Sequence, residues 1–247
     1  MKWTRGLVRK KNVWADGLFT LEIEAPEVED FDPGQFLQLG YYKEDGRHLH
    51  RPYSVASPYG EVLDFFIVLV PDGQLTPKLW SLEAGDTIDV GDRAAGRFTL
   101  KHCPEAPKSI WLIATGTGLA PYIAMLRKSE IWERYEKIAL VHGVRHASDL
   151  AYTQELAEHI SRSAGQLSYV PVVSRENVEG ALEGRITGAI TSGQLESTAG
   201  LEFTTDSCVM MCGNPAMLDE TEAILGDRGL EKHERKKPGQ IVVERYW

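Results

Sequence analysis

The stretch that decides the fold is IWLIATGTGLAP, at residues 110–121. Its first five residues are apolar or small and predict a buried strand, and a helical pattern follows the glycines and continues to about Lys128. Glycines in a turn between a strand and a helix let the backbone approach a phosphate or a nicotinamide ring closely. Pro121 stands where the dinucleotide-binding pattern has its third glycine, so an ordinary strand–turn–helix connection remains an open alternative.

The residues after this stretch alternate between strand patterns and helix patterns. Apolar runs predict strands, and periodic stretches predict helices; the strands are expected at 138–141, 167–173, 208–211 and 240–243, and the helices at 150–160 and 217–225. Such alternation is typical of a parallel sheet covered by helices.

The residues before the stretch predict an antiparallel barrel. Apolar and polar residues alternate over 19–24, and closely spaced strands with turn signals follow at 35–39, 63–70 and 87–90. Residues 102–108 contain two prolines and predict a linker, because proline cannot join an interior ladder. We therefore expect two domains, an antiparallel β-barrel at residues 1–103 and an α/β parallel-sheet domain at residues 104–247.

Composition excludes several classes of protein. The net charge of −9 over 247 residues repels nucleic acid. The sequence contains no run of about twenty apolar residues, so we expect no membrane span. Cys103, Cys208 and Cys212 do not form a disulfide framework, which fits a cytoplasmic location, and they are too few to hold a plant-type iron–sulfur cluster. His48 and His50 share a strand face without a third ligand at a convincing spacing, so we expect no metal site.

The motif Arg51-Pro52-Tyr53-Ser54 is the sharpest signal in the first half. Side chains alternate along a strand, so Arg51 and Tyr53 share a face. A guanidinium suits a phosphate, a phenol ring offers a flat face to a flavin, and a hydroxyl can hydrogen-bond a flavin ring nitrogen. An ordinary barrel strand is the alternative.

The turn Gly73-Gln74-Leu75-Thr76-Pro77 directly follows a predicted strand. A turn that opens a helix presents free backbone N–H groups and the positive end of the helix dipole to an anion such as a pyrophosphate. Thr76 is predicted to be both the N-cap and a phosphate ligand, with Pro77 at the first helical position. An ordinary capped helix is the alternative.

The motif Cys212-Gly213-Asn214-Pro215 follows another predicted strand. Ligands of open α/β sheets bind beyond the carboxyl ends of the strands, where this motif is expected to lie. Gly213 permits a close approach of the backbone, and Asn214 is predicted to cap a helix. The alternative for Cys212 is a small apolar core residue.

Two further groups of residues suit a nucleotide or a flavin. Ser174-Arg175 follows a strand and Arg185 lies nearby in sequence, which suits a 2′-phosphate and hence NADP; solvated surface arginines are the alternative. Tyr246 and Trp247 end the chain and could stack on a flavin or an adenine, or they could simply anchor the tail.

The ordered set of these motifs resembles the ferredoxin/flavodoxin–NADP⁺ reductase family, bacterial type, over essentially the whole chain. The resemblance implies an FAD-binding β-barrel domain followed by an NADP(H)-binding α/β domain. The residues implied to bind FAD are Arg51, Pro52, Tyr53, Ser54, Ile67, Val68, Leu69, Gln74, Leu75, Thr76, Tyr246 and Trp247. Those implied to bind NADP(H), or to stand where nicotinamide and flavin meet, are Thr117, Val144, Arg145, Ser174, Arg175, Arg185, Cys212, Gly213 and Asn214. Plant-type members end at the tyrosine that covers the flavin, whereas here Trp247 follows Tyr246.

The activity implied is electron transfer between NADP(H) and ferredoxin or flavodoxin, with hydride passing to flavin N5 and electrons leaving singly. Ser54 and Cys212 are the implied catalytic residues, which orient flavin and nicotinamide. We expect a monomer whose basic clusters, Arg9-Lys10-Lys11 and Arg235-Lys236-Lys237, are candidates for the carrier dock. A reductase of an oxygenase, of free flavin or of ferric chelates is the alternative enzyme, and a flavin-binding electron-transfer subunit is the non-enzymatic alternative.

Overall fold

The computed structural model describes residues 2–234 and 236–245. The chain divides into two compact units. The first contains the residues up to Leu100 together with Ala120–Lys128, and the second contains Lys101–Leu119 together with the residues from Ser129 onward. The helix that follows the glycine turn therefore packs with the first unit.

In the described residues, the first unit is an antiparallel six-stranded sheet with two short α-helices, the second of which comes from later in the chain. Its elements are β1 (Trp3–Ala15), β2 (Leu18–Glu24), β3 (Phe36–Tyr42), β4 (His48–Ser54), β5 (Val62–Val68), α1 (Thr76–Trp80) and β6 (Thr87–Gly91). The strand order is β4-β3-β6-β1-β2-β5. A single antiparallel bridge between Val55 and Phe65 joins the chain after β4 to β5, so the sheet curls into a barrel-like form.

The core of the first unit follows the two-residue period of its strands. Phe19, Leu21 and Ile23 of β2 are fully buried, and Leu21 pairs with the fully buried Phe65 of β5. Helix α1 covers part of this core, because Leu79 is fully buried in the same cluster.

Helix α2 (Ala120–Leu126) joins this unit through packing and one ion pair. All seven of its residues are buried, and the ring of Tyr122 lies 5.9 Å from the ring of Phe98. Just beyond the helix, Nη1 of Arg127 donates to Oδ2 of Asp64 at 2.6 Å and to the carbonyl of Ala56 at 3.0 Å. The charged group is half-buried, which favours a paired guanidinium over a free one.

The second unit is a parallel six-stranded sheet with helices. Its elements are β7 (Ser109–Thr115), α3 (Ser129–Arg134), β8 (Lys137–Val144), α4 (Thr153–Arg162), β9 (Leu167–Val173), β10 (Leu182–Glu183), α5 (Ile186–Thr191), α6 (Gln194–Ala199), β11 (Ser207–Gly213), α7 (Pro215–Asp227) and β12 (Ile241–Arg245). The strand order is β10-β9-β8-β7-β11-β12, and all five pairings are parallel.

The predicted fold class, antiparallel β-structure followed by a parallel α/β sheet, is confirmed. The predicted strand at 167–173 coincides with β9. The helix predicted at 150–160 instead begins at Thr153 and ends at Arg162, because Tyr152 takes a left-handed conformation (φ 60°) that a helix cannot continue.

Trp111 is the largest side chain buried in the parallel sheet, and its ring stacks on that of Phe203 at 4.0 Å. We expect Trp111→Ala to lower the free energy of unfolding of this unit by about 3–5 kcal/mol, because it removes a large buried surface and leaves a cavity. Urea denaturation followed by far-ultraviolet circular dichroism measures the change. Ile160→Ala, at an exposed position on α4, is the control and should stay within about 0.5 kcal/mol. Equal effects of the two substitutions would contradict the packing described.

Candidate functional site

The carboxyl edge of the parallel sheet collects the residues that the sequence singled out in the second half. Thr117 follows β7, Val144 ends β8, Ser174 follows β9, and Gly213 ends β11. The chain runs outward from β7 to β10 and then returns to the other side of β7 as β11. The strand order therefore reverses between β7 and β11, which is where open α/β sheets bind ligands.

The loops that follow β7 and β11 interlock at this point. A Cβ on Gly118 would lie 2.5 Å from the carbonyl oxygen of Cys212, and a Cβ on Gly213 would lie 2.1 Å from Oγ1 of Thr115. The backbone N–H of Asn214 donates to Oγ1 of Thr115 at 2.7 Å. Glycine at 118 and 213 is therefore required by the contact between the loops themselves.

Helix α7 begins as predicted. Asn214 is its N-cap, and its Oδ1 accepts from the backbone N–H groups of Ala216 (2.9 Å) and Met217 (3.3 Å), while Pro215 occupies the first helical turn. Cys212, two residues earlier, is fully buried, and its carbonyl packs against the Gly118 backbone.

Three exposed arginines surround the ends of β8 and β9. The backbone N–H and the Oγ of Ser174 both donate to the carbonyl of Val144 (3.1 and 3.2 Å), and Arg175 N–H donates to the carbonyl of Arg145 at 3.0 Å. Within the described residues, no carboxylate pairs with Arg145, Arg175 or Arg185. These guanidinium groups can therefore bind an anion without first breaking an ion pair.

Sequence reasoning missed His142, which lies on β8 and is fully buried. Its Nε2 lies 3.0 Å from the carbonyl oxygen of Gly116 in the loop after β7. Burial lowers the pKa of His142 from 6.5 to about 4, although the hydrogen bond to Gly116 and the charge of Asp149 act in the opposite direction. No motif pointed to this residue, because its partner lies 26 positions away.

In the first unit, the side chains of the Arg-Pro-Tyr-Ser motif on β4 become less exposed to solvent toward the end of the strand. Arg51 is exposed, Tyr53 is half-buried against the barrel core, and Ser54 is buried. Nη1 of Arg51 donates to the carbonyl of His50 at 2.7 Å. Burial raises the pKa of Tyr53 to about 12, with the Arg51 charge acting against the shift, so the phenol stays neutral and its ring face apolar.

The turn between β5 and α1 differs from its prediction in one respect. Thr76 is not the N-cap: the helix begins at Thr76, and Leu75, which precedes it, has no capping side chain. Oγ1 of Thr76 instead accepts from the N–H of Val70 (2.9 Å) and donates to its carbonyl (3.1 Å), so the hydroxyl closes the turn. Strand β3 also holds the turn, since Tyr41 Oη donates to the carbonyl of Gln74 at 3.3 Å.

Apolar surface is exposed beside this turn. Val68 is 43% exposed and Val70 is 51% exposed, whereas Ile67, the residue before Val68 on β5, is buried. Leu69 is fixed by its N–H, which donates to the carbonyl of Gly17 at 2.6 Å. The side chains of Val68 and Val70 therefore give this side of the turn an exposed apolar surface.

The first basic cluster is neutralised within its own unit. Arg9 pairs with Glu24, Lys10 with Glu22 at 3.5 Å, and Lys11 with Glu83. In the second cluster, Lys237 pairs with Glu231 at 2.9 Å.

Arg235, Tyr246 and Trp247 lie outside the described residues. Among the residues that the structure describes, no three His, Cys, Asp or Glu side chains form a group able to hold a metal ion. No helix in the described part of the chain has the length and apolar character needed to cross a membrane.

Comparison with known proteins agrees with these features. Residues 112–223 match the oxidoreductase NAD-binding domain family. The chain is 42% identical over 248 residues to the flavodoxin/ferredoxin–NADP reductase of Escherichia coli (strain K12), with 99% of each chain covered. It is 41% identical over 244 residues to the ferredoxin–NADP reductase of Pseudomonas aeruginosa, covering 94% of this chain and 93% of that one. A solved ferredoxin NADP⁺ reductase from Neisseria gonorrhoeae with bound FAD and NADP is 31% identical, with a TM-score of 0.93 and 100% of both chains covered.

Gly118 and Gly188 provide a matched pair of substitutions. We expect Gly118→Ala to lower the melting temperature by several degrees, since its Cβ would overlap the Cys212 backbone and force the two loops apart. Gly188 lies in α5 with open space around it, so Gly188→Ala should leave the melting temperature unchanged or raise it slightly. Differential scanning calorimetry measures both, and a stable Gly118→Ala protein would show that the loops do not interlock.

The buried His142 makes stability depend on pH. Because its folded pKa lies below its unfolded value, its contribution is present above pH 6.5 and is lost as pH falls toward about 4. We expect up to about 3 kcal/mol of acid destabilisation from this group, which His142→Gln should remove. Urea denaturation of both proteins at pH 7 and pH 4.5 measures the difference. An identical loss in both proteins would mean that His142 titrates normally.

Proposed function

Because the chain belongs to the family of flavodoxin/ferredoxin–NADP reductases, we propose that it transfers electrons between NADP(H) and a ferredoxin or flavodoxin by means of FAD. The observation that supports this most directly is the pair of interlocked glycine loops at the sheet's switch point, together with three arginines that have no carboxylate partner among the described residues. The same chain carries the Arg-Pro-Tyr-Ser strand in its antiparallel unit. We assign FAD binding to a domain at residues 1–103, with which residues 120–128 also pack, and NADP(H) binding to a domain formed by the rest of residues 104–247.

The residues of the first unit fit a flavin nucleotide. Exposed apolar side chains at Val68 and Val70, and the neutral, half-buried ring of Tyr53, suit a flat aromatic ring system. Arg51 and the backbone of the turn at Gln74–Thr76 supply donors for phosphates. Ser54 would orient the flavin ring by hydrogen bonding. The remaining FAD contacts in this proposal are Pro52, Ile67, Leu69, Tyr246 and Trp247.

FAD, when bound, accepts two electrons as a hydride and gives them up one at a time. The chain supplies position and electrostatics. Arg175 and Arg185, with Ser174, would bind the 2′-phosphate of NADP(H), and Val144 and Arg145 would line its path. The glycine loops let the nicotinamide approach the backbone, where Thr117, Cys212, Gly213 and Asn214 would orient it. Cys212 is fully buried, so it acts in this proposal by packing and not as a nucleophile.

We also propose a cytoplasmic monomer. Three buried cysteines, which form no disulfide among the described residues, are consistent with a reducing compartment. Size-exclusion chromatography with light scattering tests the oligomeric state, and a dimer mass would contradict it.

The proposed function is tested by the absorption spectrum of the purified chain and its change on adding NADPH. We expect a yellow protein that NADPH bleaches, followed by reoxidation on addition of ferredoxin or flavodoxin. A colourless chain that takes up no FAD would overturn the proposal. Rapid reduction of free flavin or ferric chelates, with no response to either carrier protein, would instead assign the chain to another group of flavin reductases.

Preference for NADPH should depend on Arg175 and Arg185. We expect the double variant Arg175→Ala/Arg185→Ala to raise the KM for NADPH by about tenfold or more and to leave the KM for NADH nearly unchanged, since only NADPH carries the 2′-phosphate. Steady-state kinetics with both nucleotides provide the measurement. Arg162→Ala is the control, because Arg162 is exposed and already pairs with Glu158. A parallel rise for both nucleotides would place the 2′-phosphate elsewhere.

A further inference from the structure

His142 is a buried imidazole whose two nitrogens have different surroundings. Nε2 lies 3.0 Å from the carbonyl oxygen of Gly116, whereas Nδ1 is buried with no hydrogen-bond partner among the described residues. A carbonyl oxygen can only accept, so Nε2 carries the proton and donates it. A second proton on Nδ1 would create an unpaired buried charge. The ring is therefore a neutral donor with one fixed tautomer.

The register of the sheet explains why this donor reaches Gly116. Strand β8 pairs in parallel with β7, and His142 is the partner of Ala114, two residues before Gly116. The next pair, Thr115 with Gly143, is the last of this ladder. Gly116 follows this last pair and has a left-handed conformation (φ 53°). Its carbonyl therefore has no partner in the strand pairing and needs another hydrogen-bond donor.

The loop at residues 115–118 is thus held from both neighbouring strands. On the β11 side, Asn214 N–H binds Oγ1 of Thr115 and the Cys212 carbonyl packs on Gly118. On the β8 side, the His142 imidazole donates to the carbonyl of Gly116. Thr117 stands between these supports and is only partly buried.

We propose that His142 is a positioning residue for the nicotinamide half of NADP(H). By donating to Gly116 it fixes the backbone that places Thr117 at the carboxyl edge of the sheet. The inference rests on the proposed function, which supplies the nicotinamide, but the hydrogen bond acts within the second unit alone. His142 does not exchange a proton in the reaction, because it is shielded from solvent on all sides.

Two substitutions separate the hydrogen bond from the volume of the ring. In His142→Gln the side-chain amide nitrogen can occupy the place of Nε2 and donate, whereas His142→Leu is of similar size and cannot donate. Ser207→Ala is the control: Ser207 is equally buried and hydrogen-bonded, but it lies at the amino end of β11, the opposite edge of the sheet.

The first measurement needs neither flavin nor turnover. Hydrogen–deuterium exchange of the full chain should show the amides of residues 115–118 exchanging about fivefold to tenfold faster in His142→Leu, with a near-parental rate in His142→Gln and in Ser207→Ala. The second is stopped-flow bleaching of the FAD-loaded chain by NADPH. We expect the reduction rate constant to fall about tenfold in His142→Leu and to stay within about threefold of the parent in His142→Gln.

Two binding controls show whether the effect is local. The affinity for 2′,5′-ADP, which lacks the nicotinamide, and the flavin midpoint potential should be the same in all four proteins. The inference is overturned if His142→Leu exchanges and reduces like the parent, if His142→Gln is as impaired as His142→Leu, or if 2′,5′-ADP affinity falls as much as the reduction rate. If the parent itself is not bleached by NADPH, the proposed function fails, and the exchange data alone decide whether His142 holds the loop.

Discussion

The contact between the loop after β7 and the loop after β11 is the constraint on which the candidate site depends. Gly118 packs on the Cys212 carbonyl with no room for a side chain. Gly213 packs on Thr115 in the same way, and its φ of 132° is one that other residues rarely adopt. A side chain on either glycine would separate two adjacent strand ends at the one place where the strand order reverses. The other residues assigned to NADP(H) are placed relative to these two loops, because each stands at or just beyond the end of a strand in the same parallel sheet.

Charge is distributed in a way that composition does not reveal. The net charge of −9 suggests a surface poor in anion sites, yet Arg145, Arg175 and Arg185 stand without carboxylate partners in the described part of the chain. The run Arg9-Lys10-Lys11 resembles an anion-binding surface in sequence, but glutamates from β2 and from the turn before β6 neutralise it. A basic side chain is available to an anionic ligand only if no nearby carboxylate pairs with it. The carboxylates that pair with Arg9, Lys10 and Lys11 are distant from them in sequence.

The sequence predicted what local patterns determine. The period of Phe19, Leu21 and Ile23, the apolar run of β9, and the Asn214-Pro215 start of α7 all appear in the structure, since each depends on residues within one turn or one strand. Thr76 was assigned wrongly as an N-cap because its hydroxyl is captured by Val70, six residues earlier. His142 went unnoticed because an isolated histidine in an apolar strand has no pattern around it. The burial that fixes its tautomer comes from the whole sheet.

The position of α2 has a consequence for how the chain can be divided. The glycine turn ends in one unit, Ala120–Lys128 packs in the other and is joined there by the Arg127–Asp64 pair, and the chain then returns. The backbone thus passes between the units three times, so neither unit corresponds to one uninterrupted segment. A single cut in the linker at 102–108 would leave the amino-terminal fragment without helix α2, which packs in its unit. The other fragment would carry this helix, whose seven residues are all buried in the intact chain, without its native neighbours. An engineered exchange of either unit between proteins of this fold must therefore transfer residues 120–128 together with the antiparallel unit, in which they pack.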